Sequence, residues 1–287
     1  MTWLFFIQKL NQVFVERNLA IENQSILVAV SGGQDSACLF QAIKNLCPFW
    51  RWNLAIVSCD HAWFDLKSKS CSQISQLAWY NQVKCYQSII PKRMSNEAKA
   101  RSWRYESFAR IGKFHSYSQI LTGHTASDRA ETLFYTLLRG SSQTGLQSLS
   151  WQRKLDFGIF LTRPMLTITR SQCALICKKQ TFCVTLDPSN QRNEWHRNRI
   201  RKRILPYLRK YFNPKTDQIL CHLAELAHAE ACYITALSNN LELKLSKQKL
   251  ICLPVSLQRR FLYSYFKHNQ MKQTFWCIEL ARFSFFC

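Results

Sequence analysis

Five short runs rich in apolar and β-branched residues, at 26–30, 54–59, 85–90, 119–122 and 159–162, are separated by stretches of helical length such as 36–46 and 95–111. This alternation constrains the fold more than any other feature. Strand and helix in regular succession bury both faces of a sheet when the strands run mainly parallel and the helices cover either side. The predicted class is therefore α/β with a mainly parallel sheet. Ligands of such sheets bind outside the carboxyl ends of the strands. The residues least suited to plain connections lie at those ends: 31–36 after the first run, Asp60 and His61 after the second, and Gly123 and His124 after the fourth.

From about Asn213 strand signals fade. In "TDQILCHLAELAHAEACYITALSNNLELKL", Ile219, Leu223, Leu226, Ala227, Ala231, Ile234 and Leu237 recur at helical intervals, which predicts an amphipathic helix. The expected organisation is a domain at 1–213 and a small, mainly α-helical domain at 214–287 that contacts RNA. The joint is placed at "FNPKTD", where Pro214 interrupts one helix and Thr216 or Asp217 can cap the next. Hydrophobic residues make up 47% of the 287, enough to pack a core and to argue against disorder.

The stretch "ILVAVSGGQDSACLF" runs from a strand into two adjacent glycines and then a helix. A turn of this kind directs backbone N–H groups and the positive end of the helix outward, and phosphate is its natural occupant. The hydroxyls of Ser31 and Ser36 can donate to phosphate oxygens, and Asp35 can hold a magnesium ion. The loop is not the Walker type, which needs lysine before its last hydroxyl; the nearest match, "GSSQTGLQ", has Leu146 there. Nor is there a G-x-G-x-x-G dinucleotide fingerprint.

"SGGQDS" resembles the S-G-G-x-D-S loop of the ATP pyrophosphatase (PP-loop) superfamily, with its Rossmann-like, adenine nucleotide alpha hydrolase-like fold. Further segments resemble one of its families, tRNA(Ile)-lysidine synthetase, in its plastid and cyanobacterial form: "CDHAWF", "EAKARSWRYESF", "TGHTASDRAETLFYTLLRGSSQTGL", "RPMLTITRSQ" and "DPSNQRNEWHRNRIRKRILPYL". Order and spacing agree from about residue 24 to 210. Two departures stand out. Where members often carry two consecutive acids, this chain has Ser127 then Asp128, followed by Arg129; and the segment after Asn213 is short and matches poorly.

Read on their own, His124, Asp128 and Glu131 are spaced four and three apart, so a helix beginning after Gly123 sets them on one face. Arg101 and Arg104 can reach phosphate if their helix faces the cleft. Seven Lys or Arg residues between 196 and 210 surround an apolar stripe of Ile200, Ile204, Leu205, Leu208 and Phe212, which predicts a basic amphipathic helix. With 39 Lys+Arg against 17 Asp+Glu, a formal +22, that helix is expected to meet an RNA backbone.

The resemblance implies an ATP-dependent ligase. It implies that L-lysine is joined to C2 of the wobble cytidine in the CAU anticodon of tRNA(Ile), through an adenylated base, giving lysidine and shifting reading from AUG to AUA. On that basis Ser31, Gly32, Gly33, Gln34, Asp35 and Ser36 hold ATP, with Asp35 also on Mg2+. Asp35, His124, Asp128 and Arg104 are the expected catalytic set, Asp128 holding or deprotonating the incoming ammonium, and Arg139 is a further candidate for phosphate or RNA. Two rivals remain. Thiolation of tRNA would use Cys59 or Cys183, since no C-x-x-C pair exists, and a noncatalytic RNA-binding protein would keep the loop as a relic.

The thirteen cysteines form no compact disulfide pattern and read as small buried side chains in a reducing compartment. No apolar run approaches the roughly 20 residues of a membrane span, so no membrane partner is expected. The start lacks a signal or transit character, which together with the residue usage points to the chloroplast stroma or, alternatively, a bacterial cytoplasm. A homodimer is compatible with the sequence.

Overall fold

The computed structural model describes residues 1–60, 67–90, 97–140, 143–182, 196–241 and 253–268. His61 and the D-x-S-N element at 187–190, both marked in the sequence, lie outside them, as does Cys183. Contacts divide the chain into two compact units, Met1–Gly140 with Ser148–His222, and Ser141–Gln147 with Leu223–Cys287.

The first unit carries a six-stranded sheet. Its strands are β1 (Ser25–Ala29), β2 (Asn53–Asp60), β3 (Lys84–Ile89), β4 (Gln119–Thr122), β5 (Gln152–Lys154) and β6 (Phe160–Thr162), in the order β3-β2-β1-β4-β6-β5. All neighbours pair in parallel except β5 with β6. The helices are α1 (Trp3–Glu16), α2 (Gln34–Trp50), α3 (Lys67–Tyr80), α4 (Glu97–Phe114), α5 (Ala126–Leu138) and α7 (Arg170–Lys179), with a short turn α6 (Gln143–Leu146) in the second unit. The five strands expected at 26–30, 54–59, 85–90, 119–122 and 159–162 are present within a residue at each end, and β5 is additional. Helix α2 runs past the expected end at 46 to Trp50, with Pro48 inside it.

Alternation along β1 explains the two cores. Ile26 and Val28 point to one face, where they meet Phe6, Leu10 and Phe14 of α1, Leu39, Phe40 and Ile43 of α2, and Ile176 of α7. Leu27 points to the other, with Val57, Ile120 and Leu161, and is covered by Tyr105 and Phe108 of α4. Each face is thus sealed by helices, as a parallel sheet requires. From β1 the chain proceeds outward to β2 on one side, and β4 returns on the other. That reversal opens a crevice at the carboxyl ends of β1 and β4, the place where doubly wound sheets hold ligands.

The basic segment is helical but not uniform. It comprises α8 (His196–Arg199), a π-helical turn at Ile200–Ile204 and α9 (Leu205–Tyr211), with Pro206 in the first turn of α9. Proline removes an N–H and crowds the preceding turn, and a widened turn accommodates both effects. Ile200 and Leu205 are buried against Ala130, but Phe212 is 73% exposed and lies off the expected stripe. The basic residues also divide: Arg197, Arg201 and Arg209 make ion pairs with carboxylates, whereas Arg199, Lys202, Arg203 and Lys210 are exposed.

Helix α10 (Thr216–Leu241) forms where amphipathic periodicity places it, with a different buried face. Cys221, Ala224, Ala227 and Ala231 are buried, and Ile219, Leu223 and Leu226 are exposed. Residues 214–222, assigned from sequence to the helical domain, group with the first unit, where Asp217 bonds Ser127 and the Cys221 thiol the Ala126 carbonyl. Among the described residues no helix is long and apolar enough to cross a membrane.

Candidate active site

The loop after β1 is shaped by its glycines. Gly32 has φ +82°, a conformation that side chains oppose, and Gly33 is the N-cap of α2 without a side-chain cap. In contrast, α1, α5 and α7 are capped by the hydroxyls of Thr2, Thr125 and Thr169. First-turn amides have no acceptor within their own helix, so the amino end of α2 offers N–H groups and a partial positive charge to an anion. A phosphate fits this cradle.

Gly123 holds the cradle against the sheet. A Cβ there would stand 3.0 Å from the Asp35 carbonyl carbon and 3.0 Å from the Ser36 amide nitrogen. The end of β4 therefore approaches the first turn of α2 more closely than any other residue type permits.

Within the loop the side chains divide the work differently from the sequence expectation. The Ser36 hydroxyl donates to the Gly33 carbonyl at 2.9 Å and accepts the Ser31 amide at 3.2 Å, so it fastens the loop to itself. Ser31 is exposed. Gln34 turns its amide toward the Arg170 carbonyl, 3.3 Å away, and lies against α7.

One residue that the sequence reading left without a role organises the rest. Arg170 donates through Nε to Asp35 Oδ2 (3.2 Å), through Nη2 to Asp128 Oδ1 (2.6 Å) and through Nη1 to Glu131 Oε1 (2.9 Å). Arg201 reaches the same pair of acids, Nε to Glu131 Oε1 at 2.8 Å and Nη2 to Asp128 Oδ1 at 3.4 Å, and Arg197 lies 3.5 Å from Glu131 Oε2. Three carboxylates face three guanidiniums.

Asp128 also closes a capping box, its Oδ2 accepting the Thr125 amide and hydroxyl, both at 2.9 Å. Burial alone would raise its pKa, but the positive charge of Arg170, with that of Arg197 and the Thr125 amide, holds the carboxyl well below the usual range. With its oxygens so occupied and its basicity so low, Asp128 is badly suited to deprotonate an ammonium group; its geometry is that of an anchor for Arg170. The sequence spacing set His124 on the same helical face, but Thr125 starts the helix as N-cap, so His124 precedes it. Its Nδ1 is 2.9 Å from Thr122 Oγ1, and burial pushes the imidazole down to about 3, Asp128 opposing that shift only in part. The ring is neutral near pH 7.

Asp35 is the carboxylate nearest the cradle. Burial raises its pKa, Arg170 lowers it, and the balance is upward. Arg170 engages one oxygen, and among the described residues Oδ1 has only the long 3.4 Å bond from Gln34. A hard cation bridging to phosphate takes such an oxygen, so Mg2+ fits here. Among the described residues no cluster of three His, Cys, Asp or Glu side chains could hold a metal by itself.

A positive field borders the site. Arg101 lies over the Tyr105 ring at 5.4 Å and Arg153 over it at 4.9 Å. Arg163, 2% exposed, donates to the Ser150 carbonyl at 2.7 Å. Despite burial, the charges of Arg101, Arg163 and Arg104 bring the Tyr105 hydroxyl below its usual pKa, and Arg163 and Arg101 also act on His124. Arg104 belongs to this field and acts on Tyr105 and Cys59. Arg139 ends α5 and donates to the Tyr135 hydroxyl at 3.2 Å. The Cys59 thiol is pushed up to about 12 by burial, so little thiolate exists near neutrality.

A phosphate cradle at the switch point of a parallel sheet, backed by an aspartate, defines the class: an ATP-binding PP-loop domain. The PP-loop domain family model matches residues 4–208. The chain is 37% identical over 284 residues to the tRNA(Ile)-lysidine synthase of a Nostoc species, covering 91% of this chain and 83% of that protein. It is 35% identical over 311 residues to the chloroplastic tRNA(Ile)-lysidine synthase of Zygnema circumcarinatum, covering 90% and 74%. The chain belongs to the tRNA(Ile)-lysidine synthase family of PP-loop proteins. Among solved structures, the U34-tRNA thiolase NcsA from Methanococcus maripaludis with its 4Fe-4S cluster superposes with a TM-score of 0.66 over 78% of this chain and 79% of that one, at 13% identity. That likeness concerns the fold.

Two outcomes follow from this geometry. Gly123→Ala should destabilise the protein by about 1–3 kcal/mol and weaken ATP binding about tenfold, because the first turn of α2 must move; calorimetric titration with ATP and urea denaturation measure both. His124 takes its proton near 6.5 when unfolded and near 3 when folded, so between these values the unfolded chain holds the extra proton. Stability should therefore fall as pH drops from 6.5 toward 3. His124→Gln should flatten that limb in urea midpoints measured against pH, and an unchanged slope would contradict the assignment.

Proposed function

We propose that this protein joins L-lysine to C2 of the wobble cytidine in the CAU anticodon of tRNA(Ile), consuming ATP and releasing AMP and pyrophosphate. The observation that carries this reading is the match along about nine-tenths of the chain to tRNA(Ile)-lysidine synthases, with the loop residues set in a cradle that an anion fits. Chloroplastic and cyanobacterial proteins both stand among those relatives. They support work in a plastid stroma or a bacterial cytoplasm.

The amides opening α2, Gly32, Gly33 and the exposed Ser31 hydroxyl hold the pyrophosphate portion of ATP, and the inner phosphorus then faces the cleft between β1 and β4. The cytosine carbonyl oxygen attacks that phosphorus in line and pyrophosphate leaves. Adenylation turns a poor leaving oxygen into AMP, which the neutral ε-amine of lysine displaces. Asp35 holds Mg2+, whose charge offsets negative charge on the phosphates. Neutral His124 is a hydrogen-bonding partner beside the base. Arg104 with Arg101, Arg153 and Arg163 supplies the positive surface that an anticodon phosphate seeks. The pair Asp128 and Glu131 keeps Arg170 in register. The base must leave its stack, at a small cost in a single-stranded loop.

Incubation with ATP, labelled lysine and the isoleucine tRNA transcript, followed by digestion to nucleosides, should yield labelled lysidine. Sustained, multiple-turnover release of pyrophosphate should require both tRNA and lysine, because without lysine the reaction stops at the adenylated base. Sustained release independent of lysine points to thiolation, and no release at all points to a binding protein; either result removes this proposal.

A further inference from the structure

Asp217 has no place in the chemistry above, yet it is buried, and a line of hydrogen bonds leads from it to Arg170. Arg209 holds its carboxylate through two bonds, Nε to Oδ1 and Nη2 to Oδ2, each 2.9 Å. The Ser127 hydroxyl donates to Oδ2 at 2.6 Å, and Ser127 Oγ in turn accepts the backbone amide of Arg170 at 3.2 Å. Ser127 is itself buried.

The direction of these bonds is forced. An ionised carboxylate only accepts, so the single hydroxyl proton of Ser127 is committed to Asp217, and the serine oxygen is left as an acceptor. The amide it takes belongs to the first residue of α7, one of those with no intrahelical partner. Fixing that amide fixes the point from which the Arg170 side chain departs, and its guanidinium spans Asp35, Asp128 and Glu131. A cation at a helix amino end is opposed by the helix dipole, so this start needs external restraint.

We infer that Asp217 is a positioning residue for the ligation reaction: through Ser127 it holds the start of α7, so that Arg170 keeps Asp35 aimed at the phosphate cradle. The inference rests on the function proposed above, and it makes a residue beyond the expected domain joint part of the catalytic framework.

The test compares the unmodified protein with Asp217→Ala, Ser127→Asp and the exchange Ser127→Asp/Asp217→Ser, reading kcat and each KM for lysidine formation, together with ATP affinity and thermal unfolding. Asp217→Ala should lower kcat about tenfold or more while KM for tRNA stays within about twofold. Ser127→Asp alone presses two carboxylates together and should lose at least as much. The exchange carries one carboxylate across the same hydrogen bond and should recover kcat to within about threefold of the unmodified protein. The inference is overturned by a folded Asp217→Ala protein with kcat within about twofold of normal, or by an exchange no better than the product of its single effects. Should Asp217→Ala fail to fold, the exchange decides. Should the unmodified protein make no lysidine, the functional reading fails, and ATP affinity still tests the inference: weakened in Asp217→Ala and restored by the exchange if it holds, equal in all four if it does not.

Discussion

The site depends on one guanidinium. Arg170 is the first residue of α7 and meets three carboxylates from two other helices, Asp35 on α2 and Asp128 and Glu131 on α5. Arginine suits this position because its planar guanidinium donates from three separate nitrogens in a fixed fork, whereas an ammonium donates from a single nitrogen. Isolated exposed ion pairs contribute little. Here the partners are largely buried and mutually bonded, and removing one member leaves others buried without compensation. The link therefore ties the phosphate loop to the helix that begins after β4.

That link acts where the chain already brings backbone close. The glycine at 123 lets the end of β4 touch the first turn of α2, and the glycine at 32 turns the loop so that amides face outward. Two electrical environments then adjoin. On one side carboxylates and guanidiniums neutralise one another and hold Asp128 ionised; on the other, Arg101, Arg153 and Arg163 around Tyr105 leave a surplus of positive charge. An uncharged His124 sits where both fields reach it. The first environment is balanced within itself, and the second suits an anion such as a phosphate.

Much of this was legible in the sequence. Strands β1 to β4 announce themselves because their buried residues are apolar and their boundaries carry turn residues. The loop is legible because two adjacent glycines before an acid and a serine have few structural uses. Strand β5 was not, because Gln152, Arg153 and Lys154 are all exposed and join the sheet through backbone alone. Nor was the role of Arg170: its acidic partner on α2 lies 135 residues away, and sequence spacing carries no information at that range. Its one local signal is a cation in the first turn of a helix, against the dipole. The basic segment at 196–210 was read as a coat for RNA; the inward turn of Arg197, Arg201 and Arg209 depends on carboxylates distant in sequence, and pattern alone cannot assign them.

The most direct test of this account is the rate of ATP-dependent pyrophosphate release in the presence of tRNA and lysine by Arg170→Lys, which keeps the charge and removes the fork. The account predicts a loss of about a hundredfold in a protein that still folds. A rate within about threefold of the unmodified protein would show that a single positive charge suffices, and that the three-way bond does not govern the site.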